Sequence, residues 1–274
     1  MPEGDTLFRT AYTLRLALKD RAIIGFRSSL PELQNTNLIG HQITDVEARG
    51  KNLLIHFDDG RALYSHLRMD GSWHIYKPEI PWQKPERLAK AVIVTREYIA
   101  VCFNAPVVEL LTETAIKRHP VFSKLGPDLL QENFDWQEVL RRLRANNEIP
   151  IGEALMRQSI LAGIGNVYKA EVLFLCKANP FAPVHLYSDH ELKIIVYKAR
   201  ELLRQNIQGK LRKTRNALDK QRYWVYERSG RPCRKCGEKI QMRRQGIDGR
   251  STYWCSHCQS SVFETSVSPE NFGK

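Results

Sequence analysis

The sequence predicts a multidomain α+β protein: an N-terminal helix leading into a β-sandwich or barrel, a central helical domain and a C-terminal β-hairpin held by cysteines. Three observations predict it. Apolar residues recur at helical spacing near the start and then switch to alternation up to about residue 120. Two strongly periodic helices follow a turn-rich stretch near residue 125, and two Cys-x2-Cys pairs stand near the end. With 274 residues, 42% of them hydrophobic, the chain has apolar mass for roughly two cored domains rather than a disordered basic tail.

Leu7, Ala11, Leu14 and Leu18 fall on one face of a helix over 6–19, uninterrupted by Gly or Pro. Leu53, Ile55 and Phe57 then alternate with polar neighbours, Asp58-Asp59-Gly60 turns the chain, and Ala62 and Tyr64 resume the alternation. That pattern is a hairpin. Further strands are predicted over 72–76, 91–95 and 99–103, and residues 123–134, with Gly126-Pro127-Asp128, form a linker from the first domain, 1–122. In the second domain, 135–222, Trp136, Val139, Leu140 and Leu143 share a face behind an Asp135 N-cap. Ser188 and Glu191 have capping-box form ahead of a helix carrying Leu192, Ile195, Val196, Ala199, Leu202 and Leu203. Helices over 151–158 and 167–176 are expected between them, joined by a turn whose Gly163 and Gly165 permit a tight path. Basic residues dominate 208–234, and the last domain runs 223–274.

Forty-two Lys+Arg against 30 Asp+Glu leave a formal charge of +12, which suits an acidic partner. No stretch reaches the ~18 apolar residues of a membrane span, and the first residues lack the basic and apolar regions of a signal peptide. The expectation is a soluble, intracellular monomer without a membrane partner. Cys102 and Cys176 lie in apolar runs. Cys233-x2-Cys236 and Cys255-x2-Cys258, separated by 18 residues, have the spacing of a four-thiolate zinc ribbon rather than of disulfides. His257, between the last two cysteines, is an alternative ligand. One structural Zn2+ would hold a hairpin too small to fold alone, leaving no open position for catalysis. Arg243, Arg244 and Arg250, on or near that hairpin, suit phosphate; by spacing alone each is equally a solvated surface charge.

Four segments occur in one order: Met1-Pro2-Glu3-Gly4; Arg49-Gly50-Lys51-Asn52-Leu53-Leu54; Leu161-Ala162-Gly163-Ile164-Gly165-Asn166-Val167-Tyr168-Lys169-Ala170-Glu171; and the cysteine module with Gly249-Arg250-Ser251-Thr252-Tyr253-Trp254-Cys255. Together they resemble the formamidopyrimidine-DNA glycosylase and endonuclease VIII family over essentially the whole chain. The resemblance implies a bifunctional base-excision repair enzyme acting on damaged DNA. It also implies an N-terminal β-sandwich, a helix-two-turn-helix domain and a zinc finger, with a DNA cleft between the lobes, and a site in the cytoplasm at the bacterial nucleoid, or in a nucleus.

The same resemblance implies the site. Pro2, once Met1 is removed, matches the family's nucleophile, and its α-amine, with an unperturbed pKa near roughly 8, keeps a neutral fraction at physiological pH. Glu3 matches the acid/base residue, Lys51 a lysine that contacts a phosphate beside the lesion, and Arg250 the finger arginine on the phosphate flanking the flipped nucleotide. Asn166, at a helix start after a glycine turn, would hold a phosphate oxygen, and Glu171 corresponds to a supporting position in the same helix. Met69, with Arg68 beside it, occupies the insertion loop that fills the gap left by an extruded base. Read alone, these residues are more ordinary: a solvated turn charge at Lys51, a simple N-cap at Asn166, a packing residue at Met69.

Two departures bear on specificity. Asp5-Thr6 stands where the family usually has Pro-Glu, so the supporting carboxylate expected at position 6 is missing: either Asp5 substitutes for it in part or the active-site hydrogen bonds differ. The basic stretch 208–222 is shorter than the loop that closes over the base in the oxidised-purine enzymes. Both the Met-Pro-Glu-Gly start and this short stretch favour the endonuclease VIII-like branch and oxidised pyrimidines. The alternatives are an oxidised-purine glycosylase of the same family, a glycosylase without strand cleavage, and a non-enzymatic zinc-finger DNA-binding protein.

Overall fold

The computed structural model describes residues 2–209, 211–217, 219 and 221–260, and the chain divides into two compact units, Met1–Leu130 and Gln131–Lys274. In the first, helix α1 (Gly4–Leu18) precedes β1 (Gly25–Ser28), the single turn α2 (Pro31–Gln34), β2 (Ile43–Arg49), β3 (Asn52–Phe57) and β4 (Arg61–His66). Then come β5 (Ser72–Tyr76), β6 (Ala89–Val94), β7 (Ile99–Phe103), β8 (Val107–Thr112) and α3 (Glu113–Arg118). The strands form two antiparallel four-stranded sheets, β1-β6-β7-β5 and β2-β3-β4-β8, the expected sandwich. Alternation explains the core. Leu53, Ile55 and Phe57 point from β3 to the same cluster as Ile93 and Ala100 of the other sheet and Leu7, Leu14 and Leu18 of α1. Leu54 faces the opposite way, with Tyr64 and Ile116, so α3 covers the outer side of that sheet.

Register sets the end of the sandwich that matters. Asn52 pairs with His66, so the turn 50–51 after β2 and the loop 67–71 after β4 emerge side by side.

The second unit holds α4 (Trp136–Arg144), α5 (Ile151–Ala154), α6 (Asn166–Leu175), α7 (Asp189–Asn206) and the hairpin β9 (Ile240–Gln245) and β10 (Arg250–Cys255). Asp135 Oδ1 caps α4 by accepting from Glu138 N–H at 3.0 Å, and Ser188 with Glu191 forms the capping box of α7. Helix α6 packs on both α7 and β10.

The helix expected over 151–158 stops at Ala154. Gln158 accounts for the departure: its Nε2 donates to the carbonyls of Met156 and Ile164, and its Oε1 accepts from Gly163 N–H, all at 3.0 Å. The side chain thereby organises the turn leading to α6, where Gly163 takes φ +107, a conformation that favours glycine.

Candidate functional site

In the first unit Pro2 is half-buried, and Glu3 is wholly buried at the N-cap of α1, its carbonyl accepting the Thr6 and Leu7 amides. Residue 3 thus stands at the end of the helix whose first N–H groups have no intrahelical acceptor. Asp5 is also fully buried, beside Thr6 Oγ1 at 3.4 Å and Arg9 at 3.6 Å. A carboxylate is therefore present one residue before the place where the family pattern led us to expect it.

Lys51 lies in the β2–β3 turn. Gly50, at φ +60, donates its N–H to Asp128 Oδ2 at 2.6 Å, and Asn52 Nδ2 donates to the Arg49 carbonyl at 2.9 Å, so the turn is braced on both sides of the lysine. Behind it Tyr64 OH donates to Asn52 Oδ1 at 3.0 Å, and burial pushes the Tyr64 phenol up to about 12. The neighbouring loop is equally shaped. Leu67 is buried, the Arg68 N–H donates to His66 Nδ1 at 3.3 Å, and Gly71 N–H closes back on the Leu67 carbonyl at 2.9 Å. A Cβ at Gly71 would meet that carbonyl oxygen at 2.5 Å, so the closure needs glycine. Arg68 takes φ +45, and Met69 stands 59% exposed at the loop tip, an apolar side chain offered to solvent. Burial first, then the charges of Lys51 and Arg68, lowers the His66 pKa. These two cations therefore share one electropositive end of the sandwich with Met69.

In the second unit Asn166 opens α6 after Gly165; its Oδ1 is buried with no hydrogen-bond partner among the described residues. Arg250 opens β10 with its side chain 45% exposed and a loose 3.8 Å approach to Asp248. Glu171 is placed differently. It is fully buried, and its carboxylate accepts the backbone N–H groups of Trp224, Val225 and Tyr226, each at 2.8 Å, and the Thr214 hydroxyl. Burial pushes the Glu171 pKa up, against Thr214 and the amides, which pull it down. The residue ties the segment entering the zinc module to α6 and presents no atom to a ligand.

The four cysteines converge, every pair of sulfurs lying within 4.8 Å, with Cys233 Sγ to Cys258 Sγ 3.9 Å and Cys236 Sγ to Cys255 Sγ 3.5 Å. Tetrahedral zinc with Zn–S near ~2.3 Å requires sulfurs about 3.8 Å apart. Backbone N–H groups of Lys235 and Cys258 donate to Cys233 and Cys255 sulfurs at 3.4 Å each, stabilising thiolates. The residues fit one Zn2+, and exposed His257 is not in the cluster. Cys102 and Cys176 are buried, and burial raises both thiols, that of Cys176 to about 12.

Several contributors escape a sequence reading. Asp128 and Thr214 carry no motif. Lys169 leaves one signal, a lysine in an otherwise largely apolar helix, where it is 1% exposed and bonded to the hairpin.

Comparison with known proteins agrees along the chain. The formamidopyrimidine-DNA glycosylase N-terminal domain matches residues 1–106, the H2TH domain of the same enzymes 125–216, and the zinc finger found in FPG and IleRS 230–260. The chain is similar to a probable endonuclease 8 2 of Streptomyces coelicolor, 39% identical over 95% of this chain and 94% of that protein. It is also similar to the DNA-(apurinic or apyrimidinic site) lyase Nei2 of Mycolicibacterium smegmatis, 34% identical over 95% of this chain and 100% of that one. In structure it resembles Lactococcus lactis Fpg in complex with DNA containing N7-benzyl-Fapy-dG, with TM-score 0.79, 25% identity, and coverage of 95% of this chain and 100% of that chain. No helix among the described residues is long and apolar enough to cross a membrane. The chain belongs to the formamidopyrimidine-DNA glycosylase and endonuclease 8 family, its sequence similarity running to the endonuclease 8 members.

Proposed function

We propose that this protein is a base-excision repair DNA glycosylase and abasic-site lyase that works through an iminium on Pro2. After removal of Met1, the neutral Pro2 amine attacks C1′ of the damaged nucleotide and the base departs with the bonding electrons. The proline nitrogen gives up its proton to the departing base, and Glu3 protonates the sugar ring oxygen as the nitrogen lone pair opens the ring, giving an iminium ion between C1′ and the proline nitrogen, which carries no N–H. That cation acidifies the C2′ protons. Removing one expels the 3′ phosphate by β-elimination, a second elimination expels the 5′ phosphate, and water then releases the sugar fragment from Pro2. The observation that carries this reading is the pairing of a half-buried Pro2 with a wholly buried Glu3 at the head of α1, a helix packed into the sandwich core.

The remaining roles follow from charge and shape. Lys51 and Arg68 bind phosphates, Met69 enters the stack where the nucleotide leaves, and Arg250 and the Asn166 side-chain amide hold phosphates flanking the lesion. Zinc on Cys233, Cys236, Cys255 and Cys258 supplies folding energy to the hairpin and, with its coordination closed by four thiolates, no reacting position. Glu171 supports this arrangement from inside. The segment 208–222 is short, which favours oxidised pyrimidines over purines. Acting on chromosomal DNA, the protein works as a monomer at a bacterial nucleoid or in a nucleus.

Duplexes carrying single oxidised pyrimidines, oxidised purines or an abasic site, incubated with the wild type, Pro2→Gly and Glu3→Gln, test the reading. It expects pyrimidine excision and δ-elimination ends from the wild type, and loss of excision in both variants. Undiminished excision by Glu3→Gln would remove the acid from the scheme, and purine preference would reverse the lesion assignment.

A further inference from the structure

We propose that Lys169 is a positioning residue for Arg250: from inside α6 it locks the start of β10 and so sets where the finger's guanidinium meets a phosphate. The inference rests on the reading of Arg250 as a phosphate contact. Lys169 is 1% exposed, and its Nζ donates to the Ser251 carbonyl at 3.1 Å and to Thr252 Oγ1 at 2.8 Å, the two residues that follow Arg250. Thr252, itself fully buried, donates to Gln245 Oε1 at 2.8 Å, and Gln245 Nε2 donates to the Pro180 carbonyl at 2.9 Å. Gln245 is the cross-strand partner of Arg250. One continuous chain of hydrogen bonds therefore fixes Arg250 from both sides, through its successors in β10 and its neighbour in β9.

The seat is tight. A Cβ at Gly152 would lie 2.8 Å from both Gln245 Oε1 and the Pro180 oxygen, and one at Gly246, which has φ +71, would lie 3.3 Å from the Glu153 carboxylate. By contrast, the Arg250 side chain is 45% exposed, and its ion pair among the described residues is a loose 3.8 Å approach to Asp248. Its aim is set by its backbone, and the backbone is set by Lys169. Because Lys169 is enclosed, it contributes nothing to a phosphate directly. Its removal costs binding only through Arg250.

That separation can be measured. Affinity for a duplex bearing a tetrahydrofuran abasic analogue is followed against salt for the zinc-loaded protein, alongside single-turnover cleavage of an abasic duplex. Loss of one phosphate contact by Arg250→Ala should flatten the log–log salt slope by about 0.9 and weaken binding roughly 10- to 100-fold. Lys169→Met should reproduce both changes although no exposed charge is lost. The double variant should be no worse than Arg250→Ala, and Lys169→Arg, which keeps the donors, should recover most of the loss. A wild-type slope in Lys169→Met, or losses that multiply in the double variant, overturns the proposal. An unchanged slope in Arg250→Ala instead overturns the phosphate reading, and the proposal with it. Zinc content and helical circular dichroism are compared for Lys169→Met and Lys169→Gln; if both variants lose zinc or helix, Lys169 is a folding residue and the positioning role is refuted.

Discussion

The buried carboxylate of Glu171 makes a quantitative prediction. In Glu171→Gln the shape is kept, and one oxygen still accepts the Val225 and Tyr226 amides as Oε1 does now, at 2.8 Å each. The other oxygen becomes an NH2 group facing the Trp224 N–H, which loses its acceptor, while the Thr214 hydroxyl can rotate to accept instead of donate. One orphaned buried donor costs ~1–3 kcal/mol, and replacing charged acceptors by a neutral one weakens each remaining bond by about 1 kcal/mol. Relief from burying the charge offsets part of this, since burial pushes the carboxyl up. The net expectation is ~2–4 kcal/mol against local closure, read by amide hydrogen exchange of the peptide spanning 224–226, whose protection should fall about 30-fold or more. Thr214→Val should cost only about 1 kcal/mol there. Wild-type protection of that peptide in Glu171→Gln refutes the scaffold role.

Other outcomes follow from the same geometry. Gly71→Ala places a Cβ 2.5 Å from the Leu67 oxygen, so the loop bearing Met69 must shift. Single-turnover excision should drop at least ~10-fold while thermal unfolding moves by only a few degrees. Glu47, against the upward push of burial, is held down to about 2 from 4.5 by hydrogen bonds from His56 and Arg49. A depressed folded-state pKa gives stability that is present above about pH 4.5 and lost as pH falls towards 2. Glu47→Gln should therefore flatten the acid limb of an unfolding-versus-pH series by about 1–2 kcal/mol after solvent screening. Metal analysis should find one zinc per chain, and a strong chelator should melt the 230–260 hairpin and abolish duplex binding. Duplex affinity surviving in the stripped protein would contradict the finger's part in binding.

Much of this architecture was legible because periodicity and capping agree locally. The helix behind Asp135, the capping box at Ser188, the hairpin around Asp58-Asp59-Gly60 and the strands 72–76 and 99–103 each combine a strong pattern with a clear stop. Strand β1, Gly-Phe-Arg-Ser, is a four-residue edge with one large apolar side chain, too short to show alternation. Strand β2 carries a register shift between Ile43 and Asp45 that breaks its period, and β8 presents Val107, Val108, Leu110 and Leu111 without alternation. At the site, motif-bearing residues were readable, whereas Asp128, Thr214 and Gln245 act through contacts 78, 43 and 65 residues distant in sequence. No local pattern encodes such pairings. Glu171 shows the converse: the motif draws attention to it, while only the fold reveals that its charge is spent on the protein's own backbone.

The central claim is a bond between the Pro2 nitrogen and C1′. Borohydride reduction of the protein on an abasic duplex, followed by intact mass and peptide mapping, tests it most directly. The account predicts a chain lacking Met1, carrying the DNA adduct on the peptide that begins at Pro2, and no adduct from a terminus blocked by acetylation. An adduct mapped to Lys51 or another lysine, or equal trapping by the blocked protein, would contradict it.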